Sequence, residues 1–252
     1  MTNFILNKSV MRKLSTLFVV IGLITMTSCH KSATSGTLVI KLNPVLGSNT
    51  IALQHVYPCL DGNNYDFQDL KFFLSHIKLI YTNGDSVEVE PIAYFSLDDP
   101  ARMSISVSAP AGSYKGIRFN IGLDPTQDAM QQSTDSTNPL YDNNGMTWGD
   151  PSKEYVFTYV DGYADHTSNP QTSFEYHVGT GPYYTTAPVL PKNFSVSGGS
   201  QTLVLNAQMQ NIFYGNSSSI NVATQNYTET ESSNDTLAFK FIDDFSQIFS
   251  LQ

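Results

Sequence analysis

The sequence predicts an all-β fold, an antiparallel β-sandwich with a short C-terminal helix, and three observations carry that expectation. Ser, Thr, Asn, Gly, Tyr and Phe are plentiful, while charged residues make up only 14% of the 252 residues; this balance favours strands and turns over long helices. About ten runs alternate apolar and polar side chains with the period of two that lines one face of a sheet. Gly, Pro and Asn punctuate those runs where tight turns need them. With 40% hydrophobic residues, the chain is long enough to bury one sizeable core.

Residues 1–28 read as a lipoprotein signal peptide rather than as part of the fold. Lys8, Arg12 and Lys13 form a basic start, and Leu14 to Met26 is an apolar run too short for a mature membrane span. Met26-Thr27-Ser28-Cys29 resembles a bacterial lipoprotein cleavage box, which makes Cys29 the lipidation site. Losing residues 1–28 removes three cations and no acid, taking the net charge from −9 to −12. So acidic a domain argues against nucleic acid as a partner. It suits a domain held at a membrane by acyl chains, in the cell envelope and facing the periplasm. Cys59 is the one other cysteine. With Cys29 acylated it has no partner in the chain, so no disulfide framework is expected.

Residues 29–36 read as a tether and 37–252 as one domain. Thr37–Leu42 alternates, with Leu38, Ile40 and Leu42 on one face. Leu70–Tyr81 is long, with Leu70, Phe72 and Leu74 sharing a face. Asn83-Gly84-Asp85 signals a turn into Ser86–Glu90, so these two runs read as a hairpin. Tyr94–Leu97, Met103–Val107, Tyr114–Leu123, Tyr155–Val160, Ser173–Val178, Phe194–Val196 and Thr202–Met209 continue the pattern. Two segments read as helix. Asp124–Gln132 opens on a capping aspartate followed by proline. At the end of the chain, Leu237, Phe241, Phe245 and Phe249 recur every fourth residue after Asn234-Asp235.

The stretch richest in functional signal surrounds Trp148, the sole tryptophan. It lies in a Gly/Asp-rich loop that feeds the aromatic run Glu154–Gly162. His177 follows in Phe174-Glu175-Tyr176-His177-Val178-Gly179. An indole and an imidazole brought together by neighbouring strands would suit a soft metal ion; each also reads as a structural anchor.

Five blocks in order resemble the MbnP family, periplasmic proteins named for methanobactin-associated copper handling. They are Leu70–Leu79, Ala109–Asp124, Gly145-Met146-Thr147-Trp148 with the strand ending at Asp161-Gly162, Phe174–Gly179, and Ile242–Phe249. The resemblance implies a β-sandwich and a copper cofactor. It also implies a site made of histidines and a tryptophan oxidised to kynurenine by a partner dihaem peroxidase. The positions that match are His177 and Trp148. The match departs where relatives carry further histidines: this chain has Val156 in the aromatic strand, and Glu229 and Glu231 before the terminal helix. His76 stands where asparagine is usual.

Other constellations are weaker. Asp142-Asn143-Asn144-Gly145 with Asp150 has calcium-type donors without the EF-hand spacing. Asp98-Asp99, Asp161 with Asp165, and Asp243-Asp244 are carboxylate pairs, but adjacent carboxylates on a strand point to opposite faces. No Gly-x-Ser-x-Gly elbow and no phosphate-binding glycine loop occurs, so no enzyme is expected. The other function class is a metal-free envelope protein contacting glycan or protein through aromatic loops such as Gly181-Pro182-Tyr183-Tyr184.

Overall fold

The computed structural model describes residues 35–148, 154–165, 171–213, 219–230 and 235–252. The signal peptide, Cys29, Asp150, His166, Glu231 and Asn234 lie outside the described residues. Fourteen strands are formed among the described residues: β1 (Ser35–Leu46), β2 (Asn49–Thr50), β3 (Val56–Pro58), β4 (Asn64–Tyr81), β5 (Ser86–Ser96), β6 (Ser104–Pro110), β7 (Gly112–Ile121), β8 (Val156–Asp165), β9 (Thr172–Gly179), β10 (Thr185–Thr186), β11 (Leu190–Val196), β12 (Ser200–Gln208), β13 (Tyr227–Glu229) and β14 (Phe249–Leu251). Three α-helical segments accompany them: α1 (Pro125–Asp128), α2 (Gln210–Phe213) and α3 (Thr236–Ser246). None of these helices is long and apolar enough to cross a membrane.

The strands form a five-stranded sheet around β1 and a nine-stranded sheet around β4. Their facing sides meet in one aromatic-rich core. The expectation of purely antiparallel sheets needs correcting, because β1 pairs with β12 in parallel from Thr37↔Ser200 to Val45↔Gln208, and β13 pairs with β9 in parallel. Strands so distant in sequence reach each other by long crossovers, which a parallel pair requires. Ser35 and Gly36, expected in the tether, already pair with Pro110 and Ala109.

The 18-residue β4 organises the larger sheet. Its core-facing residues change phase twice: Tyr65 and Phe67, then Leu70, Phe72 and Leu74, then Ile77 and Leu79. A one-residue slip sends a side chain to the opposite face, so each change needs an extra residue. Register shifts occur at Phe67/Asp69 and between Ser75 and Lys78. At the second, His76 takes φ 50°. Asparagine, aspartate and histidine tolerate this left-handed region better than most residues do.

Both expected helices form, with different limits. Asp124 caps α1 through Thr126 N and Gln127 N, and Gln127 Oε1 accepts from Asp124 N in return. The helix stops after one turn, so the expected length to Gln132 is too long. Asp235 caps α3 through Leu237 N at 2.8 Å. Phe241 and Phe245 lie on α3, but Phe249 lies on β14, where it continues the stack at 5.6 Å from Phe245.

Between β7 and β8, residues 122–148 cross the outer side of the larger sheet. Leu123, Leu140 and Met146 pack there on Phe73, Tyr94, Tyr155 and Phe157, making a second apolar cluster. Asp128 supports this cover: its carboxylate is 8% exposed and accepts from Tyr155 N at 2.9 Å. Burial, with Glu154 nearby, pushes its pKa up to about 6, although the Tyr155 bond opposes the rise. The folded state then holds this proton more tightly than the unfolded chain does. The resulting stability is complete below the unfolded value near 3.8 and is lost as pH rises through about 6. Asp128→Asn keeps an acceptor for Tyr155 and removes the charge. It is expected to be about 1–3 kcal/mol more stable than wild type at about pH 8 and no more stable at about pH 4. Melting curves at the two pH values check this; an equal difference at both would rule out the charge as the cause.

Candidate functional site

The outer side of the larger sheet carries a polar row next to that apolar cluster. Register sets it: Lys71 on β4 is opposite Ser96 on β5 and Tyr159 on β8, Tyr159 is opposite His177 on β9, and His177 is opposite Glu229 on β13. Side chains two residues apart share a face, so Phe73, Tyr94 and Phe157 lie on the apolar flank. Asp69 and Asp161, themselves paired across β4 and β8, lie on the other. Five strands thus contribute to one line perpendicular to the chain.

Tyr159 sits at the middle of the row. The His177 imidazole stacks on its ring at 3.8 Å between centroids and 19° between planes, and Lys71 Nζ lies 5.5 Å from the ring centre. Burial and the carboxylates of Asp161 and Asp69 push the Tyr159 pKa up to about 12, which keeps its hydroxyl protonated.

His177 is 8% exposed. Its Nε2 lies 2.8 Å from Asp161 Oδ1 and its Nδ1 lies 3.3 Å from Glu229 Oε1. Burial works against the charged ring, but Asp161 and then Glu229 more than offset it and hold the imidazole above its usual value. Glu229 is itself fixed by the Tyr227 hydroxyl at 2.7 Å. Lys71 Nζ donates to Asp69 Oδ2 at 2.7 Å and lies 3.7 Å from Asp98. The second oxygen of Asp69 is buried with no hydrogen-bond partner among the described residues. Four carboxylates (Asp69, Asp98, Asp161, Glu229) thus face two basic groups, leaving the row anionic.

Trp148 belongs to the same side of the sheet but to the other flank. Thr147 bridges to Tyr155, and Val156 N donates to Met146 O at 3.0 Å. Tyr155 precedes Tyr159 by four residues, about 13 Å along a strand. The His177 ring reaches toward Asp161 on the opposite flank. The indole Nε1 of Trp148 is buried with no hydrogen-bond partner among the described residues. The fold therefore brings His177 together with Asp161, Glu229 and Tyr159, and sets Trp148 at the start of the same strand.

His76 repeats the bracketed arrangement elsewhere, with Nδ1 2.8 Å from Glu88 and Nε2 2.7 Å from Asp124. The Asp124 bond is the main cause that raises its pKa. In both histidines the two carboxylates lie on opposite edges of the ring, so they cannot converge with one nitrogen on a single ion. Consistent with that, no group of three or more His, Cys, Asp or Glu side chains among the described residues surrounds one point as metal ligands would. Cys59 is a free, half-buried thiol whose pKa is raised by burial. In the Gly181–Tyr184 loop one of the two tyrosines is turned inward, while Tyr184 is half-buried. Tyr183 is fully buried, its ring lies 4.7 Å from Phe239, and its hydroxyl accepts from Asp235 N.

Sequence reasoning missed Lys71, Asp69 and Tyr159, and it set Asp161 aside as half of a local carboxylate pair. A signal was present: Asp69 and Lys71 flank Leu70 at the start of the apolar run of β4, and an outward charge there calls for cross-strand partners. Glu229 was singled out because relatives carry a histidine near it, and it does contact His177.

Fold and site together define a class: a two-sheet sandwich whose larger sheet presents an aromatic and charged row beside a long covering insertion. The family model described as MbnP matches residues 35–234, and the chain belongs to the MbnP family. The solved structure of MbnP from Methylosinus trichosporium is similar, with a TM-score of 0.53 at 11% identity over 86% of this chain and 98% of that one. At that identity the likeness concerns the fold alone. No curated protein matches the chain.

Proposed function

We propose that this member of the MbnP family is a lipid-anchored envelope protein, facing the periplasm, that binds copper through His177. One observation carries the reading: a buried imidazole lies 2.8 Å from the Asp161 carboxylate, whose cross-strand neighbour Asp69 has a buried oxygen without a partner among the described residues. Nitrogen and oxygen donors in an anionic row suit a cupric ion better than a cuprous one, which prefers sulfur. Copper taken by His177 Nε2 displaces the proton now shared with Asp161, while Glu229 at Nδ1 keeps the ring oriented. Trp148 enters as a residue oxidised to kynurenine on the opposite flank of the row, the task of a dihaem peroxidase partner.

Copper loading of the mature chain, measured by metal analysis beside a His177→Ala control, tests the ligand. We expect copper retained by the wild type and reduced at least about tenfold in affinity by the substitution. Equal copper in both would remove His177 from the site. The mass of the native protein and of its peptides tests the rest, since it reads acylation at Cys29 and, for kynurenine at Trp148, one oxygen gained and one carbon lost.

A second reading, a metal-free envelope binding protein, is favoured by the carboxylates standing on opposite edges of His177. Wild-type protein that retains no copper under the same loading selects it.

A further inference from the structure

A cavity of about 250 Å³ opens at the Lys71 end of the polar row, where β5 meets the covering insertion. Lys71, Tyr94 and Ser96 of the sheet form its floor, and Tyr141, Asn143 and Asn144 of the insertion form a wall. Asp98, Asp99 and Arg102 stand at its rim.

The two cations are largely committed. Lys71 is paired with Asp69. Arg102 donates to the carbonyls of Ser136, Thr137 and Asn138, and its guanidinium lies 5.6 Å from the Tyr94 ring centre. It ties the insertion to the sheet rather than presenting a fork to an anion. The carboxylates keep capacity. Asp98 accepts from Ser96 through one oxygen, and its other oxygen is 3.7 Å from Lys71, beyond a hydrogen bond. Asp99 accepts from Ala101 N through Oδ1, which leaves its other oxygen toward solvent. On the wall, the Tyr141 hydroxyl accepts from Asn143 Nδ2 at 3.1 Å and keeps its own proton to donate. Lys71 likewise has a donor left over.

A ligand here meets acceptors at the rim and donors on the floor and wall. A multiply charged anion is repelled by Asp98 and Asp99, while the paired Lys71 and Arg102 balance those carboxylates and leave no net charge in the lining to hold a cation. A neutral molecule whose hydroxyls both donate and accept satisfies every side. The volume falls below the range for drug-sized ligands, so the occupant is about one ring in size. We propose that this cavity binds a single ring of a neutral carbohydrate, with Asp98, Tyr141 and Lys71 as its polar contacts. The proposal goes beyond the copper reading and does not depend on it.

The test is a titration of the isotope-labelled mature chain with glucose, galactose and N-acetylglucosamine in turn, followed by amide NMR, with citrate as the charged control. We expect at least one sugar to give saturable shifts confined to the surroundings of Lys71 and to residues 94–102 and 136–144, with a Kd on the order of 1 mM. Asp98→Asn and Tyr141→Phe, both at solvent-accessible positions, are expected to weaken that binding by about tenfold each, the loss of one good hydrogen bond. Citrate is expected to cause no saturable change. The proposal is overturned if no sugar saturates, if citrate competes equally, if the shifts fall elsewhere, or if both variants bind as the wild type does.

Discussion

Gly122→Ala is expected to lower stability by about 3 kcal/mol and the melting temperature by roughly 10 °C. Gly122 ends β7 at φ 88° and donates to Phe73 O at 2.9 Å. Two costs coincide there. An L residue in that region costs about 1–2 kcal/mol. An added Cβ also overlaps the Phe157 ring, lying 2.6 Å from its Cγ, and overpacking of this kind adds about 1–3 kcal/mol. Phe157 is part of the apolar cluster that seats the covering insertion, so the damage falls on the cover first. Trp148, as the sole tryptophan, reports on it by fluorescence. The expected result is a redder emission and an earlier unfolding transition than wild type. A variant that melts with the wild type would show that Phe157 steps aside at little cost.

The second large effect is expected at Phe174. Its ring is fully buried and meets Phe213 at 5.2 Å, Tyr176 at 5.8 Å, Phe67 at 5.9 Å and Tyr65 at 6.1 Å. Phe213 in turn stacks on Tyr65 at 4.4 Å, so one ring supports an aromatic group drawn from β4, β9 and α2. Phe174→Ala is expected to cost about 3–5 kcal/mol, because a well-packed site collapses only partly around the lost ring. Gly162 shows how tightly the ring is held: a Cβ there would lie 2.5 Å from Phe174 Cζ. Urea denaturation with an unchanged slope and a shifted midpoint checks the prediction. A loss below about 1 kcal/mol would mean that neighbouring rings refill the space.

The two effects touch different layers of the molecule. Phe174 belongs to the core between the sheets, whereas Gly122 belongs to the outer side where His177, Trp148 and the polar cavity lie. A functional assay on Gly122→Ala therefore reads the cover and the site together.

Much of this molecule was legible along the chain. The alternation at Leu38, Ile40 and Leu42 gives a half-buried strand whatever its neighbours are. The Asn83-Gly84-Asp85 turn gives its hairpin, with Gly84 at φ 101°. Asp124-Pro125 and Asp235 give helix starts, because a cap acts on amides two and three residues away. The phase changes of β4 were also written in the order Phe67, Leu70, Leu74, Ile77, although only the paired strands show where the extra residues sit. Phe249 misled for the reason that a spacing of four fits one more helical turn equally well, and only the pairing of β14 with β12 decides otherwise.

The sequence by itself determined the sandwich class, the inward faces of β1 and of the middle of β4, and the two residues, His177 and Trp148, around which function was sought. Tertiary structure alone decided that β1 and β12 run parallel, that Lys71, Tyr159, His177 and Glu229 form one row, and that Trp148 lies at the other flank. The physical reason is range. Alternation and capping act over a few residues and are encoded locally, whereas a row across five strands exists only once registers between distant segments are set by burying the opposite faces of the same strands.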